Sequence, residues 1–110
     1  MDGIVCIDFS DDYNAGVAYV SDMLPEESLL IQLEEECGEF LAATAKLRRV
    51  REGLNPTPVG LEEAKRHVRE EIADVANAVE VLLAKCDTGE YADIMEAKMK
   101  RWVKRLREVE

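Results

Sequence analysis

From Glu26 to Arg51 the chain contains one glycine and no proline, and from Leu61 to Lys85 it contains neither. Between these runs lies GLNPTPVG, residues 53–60, with two glycines and two prolines. Proline removes an amide donor and glycine loosens the backbone, so such a cluster ends regular structure. Two long uninterrupted segments joined by one strong breaker leave little choice: the chain folds as helices packed side by side. Apolar residues recur at helical spacing in both segments. In the first they are Leu29, Leu33, Phe40, Ala43 and Leu47, and in the second Ala64, Val68, Val75, Ala78 and Leu82. Lys46, Arg48, Arg49 and Arg51 crowd the end of the first segment, where the helix dipole favours cations.

The flanking segments extend the pattern. Ser10 reads as an N-cap, with Asp11 and Asp12 in the first turn of a short helix that ends before Pro25. Residues 1–9 are expected to be extended or loosely packed. Pro25 suits the first position of the second helix, where no amide donor is needed. Asp87, Thr88 and Gly89 make a turn, Thr88 being available as a cap, before a fourth helix over Glu90–Glu108. Its stripe is Ile94, Met95, Met99, Trp102, Leu106 and Val109. Short links and one apolar face per helix predict an all-α, antiparallel bundle of about four helices in a single domain. At 110 residues such a chain buries only roughly 65% of its unfolded surface, so oligomerisation is a natural way to complete the core.

The formal charge of −10 disfavours nucleic acid and anionic membranes as partners. No apolar stretch approaches the roughly 20 residues of a membrane span, and the N-terminus has neither the basic segment nor the apolar run of a signal peptide. The three cysteines, Cys6, Cys37 and Cys86, are odd in number and match no zinc spacing. They read as reduced thiols of a cytoplasmic protein, with Cys37 and Cys86 as small packing residues.

Four carboxylates break the amphipathic rule. At about 100° per residue, with Glu36 at zero, Leu29, Phe40 and Leu47 fall within about 40° of it and Glu39 falls on the flank near about 300°. The third helix repeats this around Glu71, with Asp74 on the flank. If both stripes face one core, four anions converge there, at a desolvation cost of several kcal/mol each unless cations accompany them. Carboxylate oxygens favour Mg²⁺ or Mn²⁺, and Mg²⁺ keeps waters and takes substrate phosphates into its shell. One such water would be a nucleophile.

The motifs Glu36-Cys-Gly-Glu39 and Glu71-Ile-Ala-Asp74, within EEECGEF and EEIADV, resemble those of the MazG-like all-α nucleoside triphosphate pyrophosphohydrolases, a group related to the dimeric dUTPases. Gly38, Phe40 and the basic EAKMKRWVKRLREVE at residues 96–110 are also similar. The resemblance covers most of the chain after Pro25 and leaves residues 1–24 as a variable segment. It implies cleavage of a nucleotide between the α- and β-phosphates, releasing a monophosphate and pyrophosphate, in nucleotide-pool housecleaning. It implies Mg²⁺ on Glu36, Glu39, Glu71 and Asp74, with Glu35 and Glu70 supporting them or helping to activate water. It also implies a homodimer or homotetramer.

Other residues divide between site and scaffold. Lys98, Arg101 and Arg105 share one face of the last helix and could clamp phosphates or pair with the chain's own carboxylates. Lys46 and Arg49 are further, weaker cationic candidates. Asn77, one turn past Asp74, could hydrogen-bond a base or sugar or orient a carboxylate. Trp102 is expected in the core rather than stacked on a base, and His67 in a surface or satisfied polar role. A non-catalytic helical interaction or nucleotide-binding module is the alternative reading; retention of all four carboxylates argues against it. A di-iron bundle would need Glu-x-x-His motifs, and neither motif here supplies one.

Overall fold

The computed structural model describes residues 9–86 and 89–109. These form four helices: α1 (Asp11–Met23), α2 (Glu26–Glu52), α3 (Leu61–Cys86) and α4 (Tyr91–Glu108), with no strand among the described residues. Residues 1–8, with Cys6, and the Asp87–Thr88 pair lie outside that range, and so do the expectations made for them. No helix is long and apolar enough to cross a membrane.

The helix ends follow local chemistry. Ser10 caps α1 by accepting the Tyr13 amide at 3.1 Å, as its hydroxyl-bearing side chain allows. Pro25 sits one position earlier than expected. It is the N-cap of α2, with extended backbone, and its carbonyl accepts the amides of Ser28 and Leu29. The restriction that proline places on the residue before it keeps Leu24 extended and separates the two helices there. Gly53 closes α2 with a left-handed φ of 75° and donates its amide to Arg49 O at 3.0 Å. Glycine takes that conformation without a Cβ penalty.

The long helices α2 and α3 pack on each other, and α1 packs on α3. Glu36 of α2 meets Glu71 and Asp74 of α3, whereas Lys46, further along α2, shares a cleft with Ala64, so α2 and α3 are antiparallel. Tyr13 bonds Asn77 and Lys85 bonds Ser21, so α1 runs parallel to α3. The Lys85 ammonium donates to Ser21 O at 2.7 Å near the C-terminus of α1, a helix with no basic residue in its own last turn. A cation is favourable at that end of the dipole. The core is thin. Leu29, Ala43, Ala64 and Ala78 are its buried apolar residues, and Leu33, Phe40, Leu47, Val68, Val75 and Leu82 are half-buried around them.

The fourth helix departs from the expected bundle. It exists, but it is not packed: no residue of α4 is buried, and Trp102 is 55% exposed with Met95, Met99 and Leu106 alongside. The apolar stripe is where the periodicity puts it, and among the described residues it is left uncovered. Trp102 is therefore not a core residue of the single chain. Cys37 and Cys86 are also exposed rather than packed. Cys37 lies about 100° around α2 from Glu36, off the axis of the packed stripe.

Candidate functional site

The site lies in the middle of the α2–α3 seam. Glu36 enters from α2, and Glu71 and Asp74 from α3. Each offers a carboxylate oxygen, and these oxygens all lie within 4.8 Å of one another. Glu71 is buried at 8% exposure, Glu36 is half-buried and Asp74 is exposed. The group is thus sealed on its inner side and open toward solvent. Glu39 lies outside this tight group but close enough to act on Glu36 electrostatically. Its place on the flank of α2, one turn from Glu36, accounts for both observations.

Two carboxylate oxygens, Oε2 of Glu36 and Oε2 of Glu71, are buried without a hydrogen-bond partner. Buried polar atoms in native proteins are almost always satisfied, so a pair of orphans in one group calls for a reason. Their companion oxygens are held. Gln32 donates Nε2 to Glu36 Oε1 at 2.9 Å, and His67 Nε2 stands 3.2 Å from Glu71 Oε1. Each partner is four residues before its carboxylate, where helix geometry brings side chains together. So each inner glutamate has one oxygen tethered and one left over. Burial raises the Glu36 pKa above the ordinary carboxylate range, and the charges of Asp74, Glu39 and Glu71 raise it further, against the lowering effect of the Gln32 bond.

The donor set fits a hard divalent cation. It consists of carboxylate oxygens alone, with tethered partners behind them, and a cation would satisfy both orphan oxygens and relieve the repulsion.

Two neighbouring features have no counterpart in the sequence reading. Tyr13 of α1 donates its hydroxyl to Asn77 Oδ1 at 2.6 Å, one turn from Asp74, and stacks on Phe9 with ring centroids 4.3 Å apart. Burial and then the charge of Glu80 raise the Tyr13 pKa. A cleft of about 360 Å³ lies along the seam beyond His67, lined by Lys46, Val59, Glu63, Arg66, His67 and Glu70 among others. Lys46 is a weaker cationic candidate in the sequence than Lys98 and Arg101, yet it is Lys46 that the fold places on the seam. Lys98 and Arg101 stand exposed on α4, and Glu35 is exposed on α2.

No family model, no curated protein and no solved structure matches this chain.

Proposed function

We propose that the chain is a Mg²⁺-dependent nucleoside triphosphate pyrophosphohydrolase. The observation that carries this reading is the pair of orphan oxygens on Glu36 and Glu71, set in a three-carboxylate group that opens to solvent. The motif resemblance supplies the reaction, and a hard-oxygen site beside a cleft holding Lys46 and Arg66 supports it.

Glu36, Glu71 and Asp74 would hold the cation, which when bound supplies charge neutralisation for the phosphates and a more acidic water. Gln32 and His67 keep the two inner carboxylates turned toward it. Glu39, on the flank and outside the tight group, accepts the proton from the attacking water. That water's oxygen forms a bond to the α-phosphorus, and the bond from the α-phosphorus to the α,β-bridging oxygen breaks. The electron pair leaves with pyrophosphate, the monophosphate retains the new oxygen, and Glu39 passes its proton to solvent. Lys46 and Arg66 bind the departing phosphates through charge-assisted hydrogen bonds. Asn77, held by Tyr13, contacts the sugar or base.

The test is pyrophosphate release from a panel of ordinary and modified NTPs and dNTPs with Mg²⁺, Mn²⁺ or EDTA. Metal-dependent release that collapses in Glu36→Gln is expected. Absence of release from every nucleotide, together with no heat of Mg²⁺ binding by a folded chain, would favour the interaction-module reading instead.

A further inference from the structure

Tyr13 belongs to α1, in the segment that the motif resemblance leaves aside, yet its hydroxyl reaches α3 one turn from Asp74. Three contacts fix where that hydroxyl stands. Ser10 accepts the Tyr13 amide at 3.1 Å and locks the residue in the first turn of α1. Phe9 stacks on the ring, with centroids 4.3 Å apart and planes 22° from parallel. At the other end of α1, Lys85 donates to Ser21 O at 2.7 Å and ties the helix to α3. A half-buried ring held in this way gives up little further freedom when its hydroxyl makes a bond.

That bond has a direction. The Tyr13 hydroxyl donates to Asn77 Oδ1 at 2.6 Å and has no second acceptor in hydrogen-bond reach among the described residues. Burial and the charge of Glu80 both keep the hydroxyl protonated, and thus a donor. A side-chain amide carries its acceptor on one branch and its two donors on the other. With Oδ1 turned to Tyr13, Nδ2 is turned away from it. Asn77 is exposed, and its Nδ2 has no partner among the described residues. Without the Tyr13 hydroxyl, no hydrogen bond among the described residues separates the two orientations of this amide.

The α3 axis also gives the site an order. Arg66 and His67 line the cleft at one end, Glu71 and Asp74 follow, and Asn77 comes last. At the helical rise, Asn77 is about 4.5 Å beyond Asp74 along the axis and about 16 Å beyond Arg66. A nucleotide has the same order: terminal phosphates, α-phosphate, nucleoside. With the terminal phosphates at Lys46 and Arg66 and the reacting phosphorus at the carboxylate group, the nucleoside falls at Asn77.

We propose that Tyr13 is a positioning residue: its hydroxyl holds the Asn77 amide so that Nδ2 faces the nucleoside of a bound nucleotide and donates to one of its acceptor oxygens. That oxygen is a sugar hydroxyl or a base carbonyl. The inference rests on the pyrophosphohydrolase reading and adds which way Asn77 faces and what holds it there. A contact that can only donate favours substrates with an oxygen at that point over those with an amino group, because the mismatched pair leaves both donors unsatisfied.

Steady-state kinetics of the full chain with Mg²⁺ tests it, and the wild type on its best nucleotide gives the reference. Tyr13→Phe removes the hydroxyl and keeps the ring on Phe9. It is expected to raise KM roughly 5-fold, the worth of about one hydrogen bond. kcat should stay within about twofold, as when binding common to ground and transition states is lost, and the helical circular dichroism should be unchanged. Asn77→Ala should raise KM at least as much. Adding Tyr13→Phe to Asn77→Ala should raise it no further, because the hydroxyl then has no amide to act through. The effect of Tyr13→Phe should vanish on an analogue without the acceptor, measured as substrate or as competitor. A 2′,3′-dideoxynucleotide is that analogue if the oxygen is on the sugar, and a base with an amino group in place of its carbonyl if it is on the base. An active wild type with KM unchanged in Tyr13→Phe overturns the proposal and leaves the pyrophosphohydrolase reading standing. So do losses that add in the double variant, or an effect that persists on both analogues. A wild type that cleaves no nucleotide removes both.

Discussion

At the scale of single residues, the crowding of Glu36 has a consequence for stability. Its carboxyl pKa is raised in the folded chain by burial and by its acidic neighbours. Between the ordinary carboxylate range and that raised value, the folded state therefore holds more protons than the unfolded state. The contribution of Glu36 to stability is complete at acid pH and lost as pH rises through the folded pKa. In EDTA, the melting temperature of the wild type minus that of Glu36→Gln is expected to fall as pH rises across that window. A flat or rising difference would remove the electrostatic account. For Glu39, assigned the proton, Glu39→Gln should lower kcat by roughly 10²–10⁴ while Mg²⁺ still binds by calorimetry. Equal loss of binding would place Glu39 among the ligands instead. Such residues are legible in a sequence where charge conflicts with position. Glu36 and Glu71 stand in apolar stripes, and the packing of α2 on α3 brings them together. Their tethers, Gln32 and His67, are four residues earlier on the same helices, but a neutral amide and one histidine look ordinary on a charged helix. Tyr13 is illegible for another reason: its contact with Asn77 spans 64 residues and depends on how α1 docks.

At the scale of the helix, type and ends are legible because caps and breakers are local. Ser10, Gly53 and the GLNPTPVG loop each act within a few residues. Burial is less legible, because a stripe says that a face wants cover and not what covers it. The α2 and α3 stripes find each other; the α4 stripe stays uncovered among the described residues. Leu29 has a side chain with 0% exposure. Leu29→Ala should therefore cost about 2–5 kcal/mol of unfolding free energy. Trp102→Ala removes a far larger side chain that is more than half exposed. At concentrations where the chain is monomeric, it should change stability by less than ~0.5 kcal/mol, as surface substitutions do. Chemical denaturation of both variants at low protein concentration checks the pair. A larger loss in Trp102→Ala would mean that α4 packs within its own chain.

At the scale of the whole molecule, 24 acidic against 14 basic residues make the folded chain repel itself, and any salt relieves part of that repulsion. Stabilisation by Mg²⁺ is therefore informative only against a background of equal ionic strength. General screening depends on the Debye length, about 10 Å at 0.1 M, and is the same for a chain with or without its carboxylate group. Site binding instead adds RT ln(1 + [L]/Kd), about 2.7 kcal/mol when the ion is at a hundred times its dissociation constant. For a domain of this size that is on the order of 10 °C in melting temperature. With NaCl adjusted to hold ionic strength constant, Mg²⁺ should raise the melting temperature of the wild type by such an amount. Glu71→Gln removes the charge of the most buried carboxylate, and Mg²⁺ should then give little beyond the NaCl effect. That variant also relieves repulsion in the metal-free state, so its melting temperature in EDTA should equal or exceed that of the wild type. The opposing signs separate a metal site from a merely acidic surface: a surface cluster would respond to Mg²⁺ nearly equally in both chains, whereas a ligand group loses its response to the ion while the empty fold becomes no weaker.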